Sequence, residues 1–329
     1  MKLVVFISFL LTVSLTSAQV TQKRTLSMLG SPFEMTVVAK NITEADSYID
    51  MSVAEVSRLE NLISDWIPTT PISQVNKFAG IKPVKVPQEV FDLVERSIKI
   101  SELTSGAFDI SYASMDKIWK FDGSMTKMPS PEEIKKSVAK VGYKNIILDH
   151  SKSTIFLKNE GMKLGLGGIG QGFIADKIKS LLTSKGVVAG IVNISGDINC
   201  WGKQTNGEKW KVGIKNPLNK DKIFATFPLD DSAVETSGSY EKYVTFNGKR
   251  YSHIIDTRTG YPATGVISVS VFAKTTELAD ALATGIFVMG VDVGVDLVNQ
   301  LPGIGCIFVD EHGKIFSSKN IDLKKYKDE

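Results

Sequence analysis

Apolar and polar positions follow a helical period in the first part of the chain. Between residues 43 and 64 apolar residues recur every three or four positions, which predicts a long amphipathic helix with Thr43 as its N-cap. Residues 87–104 and 129–141 predict two further helices, whereas residues 25–40 predict one strand with a Gly-Ser bend. Residues 65–85 are rich in Pro and Gly and predict turns.

The pattern becomes strand-like from residue 142 onward, with only a few helical stretches. The predicted elements are a hairpin at 146–148 and 154–157, a glycine-rich loop at 165–172, a helix at 173–185, a strand at 187–194, short strands over 198–272 with hairpin turns at 206–207 and 247–248, helices at 276–289 and 292–300, and strands at 304–309 and 314–317. This order predicts an α+β fold with mixed, largely antiparallel sheets and packed helices.

The first eighteen residues predict export. Lys2 precedes an apolar run that ends in small residues before Gln19, which is typical of a cleaved secretory signal peptide. The run is too short to cross a bilayer comfortably. We therefore expect residues 1–18 to be removed and residues 19–329 to form one soluble domain in the periplasm.

Charge and cysteine content exclude some classes of function. The formal net charge is +3, and the basic residues are interspersed with acidic ones, so no nucleic acid partner is expected. Cys200 and Cys306 are the two cysteines. They are too few and too far apart for a Cys-based zinc site, and they would be either a disulfide or two buried thiols.

A glycine-rich loop is the first candidate for binding. Gly165 to Gly170 fits the spacing G-x-G-x-x-G and opens a predicted helix, so its N–H groups would approach a diphosphate. A dinucleotide fingerprint would need a parallel βαβ unit, yet the preceding elements predict an antiparallel hairpin, and the next acidic candidate, Asp197, lies in a predicted turn. A tight turn without a ligand is the alternative interpretation.

A carboxylate and a hydroxyl form the second candidate. Asp280 and Thr284 are four positions apart on a predicted helix, so their oxygens lie on one face among small apolar residues. An oxygen-only set of ligands of this kind suits Mg²⁺. The alternative is that Asp280 marks the start of the helix and Thr284 bonds its own backbone.

His253 is the third candidate, because it follows a predicted strand and would serve as a general base. A structural histidine bonded to nearby backbone is the alternative. His150 and His312 lie in polar turns and are expected to be solvated. Asp256 and Arg258 predict a turn locked by an ion pair.

These segments, taken in order, carry a resemblance. They are LGGIGQGFIAD at 166–176, NISGD at 193–197, ETSGSY at 235–240, HIIDTRTGYP at 253–262 and ADALAT at 279–284. Together with GAFD at 106–109 and LGS at 29–31, they resemble the FAD:protein FMN transferase family, also called ApbE. The resemblance implies Mg²⁺-dependent transfer of FMN from FAD to a Thr or Ser hydroxyl of a target protein, with release of AMP. A metal-dependent FAD pyrophosphatase and an exported FAD-binding protein are the alternatives.

The resemblance also implies site residues. Asp280, Thr284 and the backbone oxygen of Gly168 are implied to bind the metal, with Ala283 beside them at the metal site. His253 is implied as the base. The residues implied to line the FAD pocket are Leu29, Trp66, Ala107, Phe108, Asp109, Gly165, Gln171 and Ile254. The implied targets are exported or membrane-bound subunits of electron-transfer complexes.

Several positions depart from the family pattern. Gly165 replaces a frequent Asp at the flavin nucleotide, and Ala283 stands where some members have a second Asp beside the metal. Leu29 replaces a usual Met, and Gln171 a usual Lys or Glu. Thr257 replaces a usual Pro, which we expect to matter little.

Overall fold

The structure is a computed structural model that describes residues 19–239 and 242–326, without the side chains of residues 220 and 221. The predicted signal peptide, residues 1–18, lies outside the described residues. Within the described part, none of the helices combines the length and the apolar character needed to cross a membrane.

An eight-stranded antiparallel sheet forms the centre of the fold. Its strands, in spatial order, are β1 (Val20–Met28), β2 (Ser31–Ala39), β6 (Ala189–Ile194), β7 (Asp197–Trp201), β10 (Ala233–Gly238), β13 (Val266–Ala273), β14 (Gly305–Asp310) and β15 (Ile315–Ser317). Three smaller antiparallel sheets comprise β3 (Val84–Lys85) with β5 (Thr154–Leu157) and β4 (Ile146–Asp149), β8 (Trp210–Asn216) with β9 (Asn219–Leu229), and β11 (Tyr243–Phe246) with β12 (Lys249–Ser252).

Seven α-helices accompany these sheets in the described part of the chain. They are α1 (Ile42–Ile63), α2 (Pro71–Lys77), α3 (Gln88–Leu103), α4 (Pro131–Ser137), α5 (Gly170–Ser184), α6 (Thr276–Met289) and α7 (Val291–Asn299). Helix α1 packs on β1 and β2, α5 on β6 and β7, α6 on β10 and β13, and α7 on β14 and β15. Their apolar faces close one main core over the sheet, and the predicted α+β class with largely antiparallel sheets is confirmed.

The strand predicted over residues 25–40 is wrong, because the chain reverses within it. Val20 pairs with Ala39 and Met28 with Ser31, so β1 and β2 form a hairpin. The two turn residues, Leu29 and Gly30, both have positive φ, at 56° and 69°. Leucine rarely adopts this conformation, so the usual Asn-Gly or Asp-Gly signal of such a turn is missing from the sequence.

Three local predictions also need correction. Helix α1 begins at Ile42, because Asn41 rather than Thr43 caps it: the Asn41 side chain accepts from the Glu44 N–H. The turn-rich segment contains α2, which Thr70 caps and Pro71 starts. The hairpin predicted at the turn 206–207 is wrong, because this turn connects β7 and β8, which do not pair. The hairpin predicted at 247–248 is confirmed, because this turn connects the paired strands β11 and β12.

The cysteines do not form a disulfide. Cys200 and Cys306 are both buried and free. They lie on β7 and β14, which β10 and β13 separate in the sheet. Three strand spacings of about 4.8 Å put them well beyond the ~7 Å reach of a disulfide. Of the two alternatives, buried thiols are correct.

Candidate active site

A cavity of about 1020 Å³ lies where the glycine loop, α6 and the ends of several strands meet. Its lining includes Gly168, Asp280 and Thr284, the three residues predicted to hold a metal. His253 and Ile254 line it from the segment after β12. The fold therefore brings together in one space the three candidates that lie far apart in the sequence.

The glycine loop lies directly against α6. A Cβ on Gly168 would lie 3.1 Å from Thr284 Oγ1, so the backbone of Gly168 touches the threonine side chain. Four residues later, the Gly172 N–H donates to Asp280 Oδ2 at 3.2 Å. Glycine is required there, because a Cβ on Gly172 would lie 2.5 Å from the Thr276 carbonyl oxygen. Close contact between α5 and α6 thus fixes the loop over Asp280 and Thr284.

Asp280 is buried and carries few compensating contacts. Burial raises its pKa to about 7, the Gly172 N–H lowers the pKa, and the charges of Glu277 and Asp176 raise it. Asp280 and Thr284 lie one helical turn apart, as their spacing predicts. Ala283, on the same helix, is fully buried in the core and does not line the cavity. A carboxylate and a hydroxyl therefore lie in the cavity beside the backbone of Gly168, and oxygen atoms of this kind suit a hard cation.

Two further buried carboxyl groups line this cavity and were missed from the sequence. Asp197 is not part of the turn, because only Ser195 and Gly196 take positive φ and Asp197 starts β7. Glu235 lies on the neighbouring strand β10. Among the described residues, Asp197 Oδ1 and Glu235 Oε2 are buried without a hydrogen-bond partner. The only signal in the sequence was their position within the two family-like segments.

Burial and mutual repulsion perturb both groups. Burial raises the pKa of Asp197 well above its usual value, and the charges of Asp280 and Asp176 add to the rise. Burial likewise raises the pKa of Glu235, followed by the charges of Asp197 and Asp280. The cavity therefore concentrates negative charge that a cation or protons must compensate.

His253 is exposed at the cavity and is held by its neighbours. Its Nδ1 lies 3.2 Å from the Lys242 carbonyl oxygen, and the Phe121 ring meets the imidazole edge-on at 6.4 Å between centroids. His150 and His312 are solvated, as predicted, with side chains 68% and 82% exposed. The predicted Asp256–Arg258 ion pair is present at 2.9 Å.

Most of the predicted FAD-pocket residues line the cavity. Ala107 and Phe108 do so, and Gln171 does so while donating to Ser31 Oγ at 3.1 Å. Asp109 also lines it, but its carboxylate accepts from the Ser111 N–H and hydroxyl and from the Tyr143 N–H. Those bonds fix the loop that carries Ala107 and Phe108, so Asp109 positions the pocket wall.

Leu29 and Trp66 are not brought into the cavity wall. Leu29 lies in the β1–β2 turn, half-buried. Trp66 is 79% exposed, and Lys117, which does line the cavity, holds its ammonium 5.0 Å from the Trp66 ring centroid. Contact of these two residues with FAD stays a prediction.

Comparison with known proteins identifies the family. The family model described as the ApbE family matches residues 29–308. The chain belongs to the ApbE family. It is 33% identical over 265 residues to the FAD:protein FMN transferase of Treponema pallidum, covering 76% of this chain and 73% of that protein. It is 28% identical over 293 residues to a Klebsiella pneumoniae protein of the same name, covering 88% and 90%.

Solved structures of the family share the fold. The ApbE protein of Thermotoga maritima superposes with a TM-score of 0.83 at 30% identity, covering 94% of this chain and all of that one. The Pseudomonas stutzeri flavinyl transferase ApbE, in its apo form, gives a TM-score of 0.80 at 26% identity, covering 92% and 95%.

The departure at Gly165 has a structural explanation in this ApbE protein. A Cβ on Gly165 would lie 2.9 Å from Ala113 Cβ and 3.1 Å from the Tyr112 hydroxyl oxygen. A Cβ on Gly167 would lie 2.7 Å from the same hydroxyl. Tyr112 lines the cavity and fills the space in which an aspartate side chain would otherwise lie. An aspartate at position 165 would therefore clash with Tyr112 unless one of the two side chains moved.

We expect Gly165→Asp to destabilise the protein by about 1–3 kcal/mol, because the added side chain overpacks the contact with Tyr112 and Ala113. Adding Tyr112→Ala should recover the part of the lost stability that is due to the clash with the tyrosine. Thermal unfolding of the two single variants and the double variant measures the coupling. Adding Tyr261→Ala instead, at a tyrosine outside the cavity lining, should restore nothing. Strictly additive losses for positions 165 and 112 would contradict the coupling.

Thr257 contributes more to the structure of the site than the sequence suggested. The residue is buried, and its hydroxyl donates to the Gly106 carbonyl oxygen at 2.6 Å. Proline, usual in the family, has no hydroxyl to make this bond. Thr257 therefore ties the segment after His253 to the loop that carries Ala107 and Phe108.

Proposed function

We propose that this transferase of the ApbE family moves the FMN half of FAD to a Thr or Ser hydroxyl of a target protein, in a Mg²⁺-dependent reaction that releases AMP. One observation carries the proposal: the glycine loop, Asp280, Thr284 and His253 meet in one cavity, although they come from three separate parts of the chain. The names of the relatives, FAD:protein FMN transferase, support the same reaction.

The residues present fit a divalent cation. The Asp280 carboxylate, the Thr284 hydroxyl and the Gly168 carbonyl would hold it, and the buried charge of Asp280 lacks a cationic partner among the described residues. When bound, Mg²⁺ supplies positive charge against the FAD diphosphate. The N–H groups at the start of α5 add a favourable helix end for the same phosphates.

His253 would take the proton of the acceptor hydroxyl. A carbonyl oxygen only accepts hydrogen bonds, so the contact with the Lys242 carbonyl favours the neutral tautomer that carries its hydrogen on Nδ1. Nε2 is then the basic nitrogen. Phe121 supports the ring edge-on, which limits its rotation. The activated hydroxyl would attack the phosphorus of the FMN half, and AMP would leave.

The acceptors and the compartment are also part of the proposal. The pattern of residues 1–18 supports an exported protein that acts in the periplasm after cleavage. Exported or membrane-bound subunits of electron-transfer complexes would be the acceptors.

Transfer is tested by incubating the enzyme with FAD, Mg²⁺ and exported candidate proteins, followed by intact-mass and peptide mass spectrometry. The expected result is a phosphoester-linked FMN on Ser or Thr, in equal amount to AMP, that EDTA prevents. Steady release of FMN and AMP without an acceptor would instead indicate a pyrophosphatase. Recovery of unchanged FAD in every reaction would instead indicate a protein that binds flavin without transferring it.

We expect His253→Gln to lower kcat for transfer by about 10²–10⁴-fold, the usual contribution of a general base. Binding of FAD, measured by flavin fluorescence, should change little, because the residue acts on the acceptor. His312→Gln, at a solvated histidine, is the control and should keep full activity. Equal kcat values for wild type and His253→Gln would assign the base elsewhere.

A further inference from the structure

Strand β10 extends beyond its neighbour β7 at the cavity. Along β13 it is paired over its whole length, from Ala233 to Gly238. Along β7 the pairing stops at Val234 opposite Ile198, because β7 begins at Asp197 and the chain turns at Ser195 and Gly196. Residues 235–238 therefore have no strand on their second side within the described part of the chain, and all four line the cavity.

Two hydrogen bonds show which backbone groups face that open side. The Cys200 N–H donates to the Ser232 carbonyl, so residue 232 points toward β7. The Ser239 N–H donates to the Ile267 carbonyl, so residue 239 points toward β13. Successive residues of an antiparallel strand alternate between the two sides. Thr236 and Gly238 thus direct their N–H and C=O groups away from β13 and into the cavity.

This edge is matched by the backbone of an extended peptide. The unpaired N–H and C=O groups lie on every second residue of the edge. The backbone of an extended peptide presents its own N–H and C=O groups at the same spacing, so the two can pair. The edge also lies close to the proposed base: Gly238 is four residues before Lys242, whose carbonyl holds His253, so the two are at most about 14 Å apart along the chain. This bound puts the edge within reach of a few peptide residues from the imidazole.

The exposed charges of the lining favour an acidic occupant, because lysines predominate there, whereas Asp197, Glu235 and Asp280 are buried. Lys215 and Lys242 both line the cavity and are exposed. Neither forms an ion pair with another residue of the described chain. A segment that carries a carboxylate near its hydroxyl would meet these ammonium groups, whereas a basic segment would be repelled.

We propose that the acceptor protein presents its Ser or Thr on an extended, acidic segment that pairs as an added strand with Thr236 and Gly238 of β10. The inference rests on the proposed transfer reaction, and it adds how the protein substrate is recognised. The backbone bonds give affinity without regard to side chains, so specificity comes from the hydroxyl at His253 and the acidic residue at the lysines.

The test compares Thr236→Pro with Thr236→Val in the full-length enzyme. Both lose the hydroxyl that bonds Ser270 Oγ at 2.7 Å, but only proline also removes the N–H that faces the cavity. The acceptor is a short synthetic peptide copied from the FMN-bearing fragment of the transfer reaction. We expect Thr236→Pro to raise the KM for this peptide roughly five- to tenfold over Thr236→Val, with the KM for FAD unchanged.

A second measurement needs no variant of the enzyme. N-methylation of single amides of the peptide should raise its KM at alternate positions only, since a paired strand directs every second N–H to its neighbour. Equal KM values for the two enzyme variants together with a flat methylation profile would overturn strand pairing while leaving transfer intact. A raised KM for FAD instead would assign the edge to the flavin. If wild type transfers FMN to no protein, the proposed function fails as well.

Discussion

Asp280→Asn should lower Mg²⁺-dependent transfer by about 10²–10³-fold and, at the same time, make the metal-free protein more stable. The loss follows because the carboxylate is the one charged ligand in the proposed metal set, and removal of a group that stabilises transition-state charge costs about 10²–10³. The gain follows because the same carboxylate is buried beside Asp197 and Glu235 with little compensation.

The gain in stability has a defined pH dependence. Burial raises the pKa of Asp280 from its usual value of 3.8 to about 7. In the metal-free protein the unfolded chain therefore ionises first, and stability is lost as the pH rises from about 4 to about 7. A rise of this size corresponds to roughly 4 kcal/mol at neutral pH. Asn keeps an oxygen for the Gly172 N–H and has no charge, so its advantage should be large at pH 8 and small at pH 4.

Thermal unfolding with EDTA at pH 4 and pH 8, and again with excess Mg²⁺ at pH 8, measures both effects. Mg²⁺ should raise the Tm of wild type and leave that of Asp280→Asn unchanged, because only a protein that binds the ion is stabilised by it. Asp292→Asn, at an exposed aspartate of α7, is the matched control and should behave like wild type. A Tm of Asp280→Asn that still rises with Mg²⁺ would place the metal elsewhere.

The sequence was sufficient for those parts of the site that depend on local spacing. Asp280 and Thr284 are four positions apart on one helix, so their shared face follows from helix geometry alone. The glycine loop before α5 was likewise visible as a run of residues without side chains. Their contact with each other was expected only through the family resemblance, because no local rule states which helix a loop will touch.

Features that depend on pairing between distant strands could not be read from local patterns. Asp197 and Glu235 become neighbours only because β7 pairs with β10, some 35 residues further along the chain. The early hairpin was missed because its turn uses Leu29, a residue that is unusual at positive φ. Burial of Asp109 within a loop was missed for a similar reason, since its partner Tyr143 lies in a different segment.

Gly172→Ala should reduce both stability and transfer, because the missing side chain of Gly172 lets α5 pack directly against α6. A Cβ there would lie 2.5 Å and 2.7 Å from the carbonyl oxygen and carbon of Thr276 and 2.9 Å from Asp280 Cβ. Backbone atoms of a helix cannot rotate aside as a side chain can, so α6 must shift as a unit. We expect a loss of about 3 kcal/mol, or a Tm lower by roughly 5–10 °C.

The effect on transfer should exceed what lower stability alone would cause. A shift of α6 moves Asp280 and Thr284 away from the loop carbonyl of Gly168, and misplacement by about 1 Å can cost a hundredfold in rate. Gly170→Ala, two residues earlier on the same helix, is the matched control: its Cβ would lie 3.3 Å from the end of the Ile63 side chain and, in ordinary contact, 3.7 Å from Leu166 Cβ. That variant should keep wild-type Tm and kcat at 25 °C. If Gly172→Ala did the same, α5 and α6 would not be in the close contact that joins the glycine loop to the two proposed metal ligands.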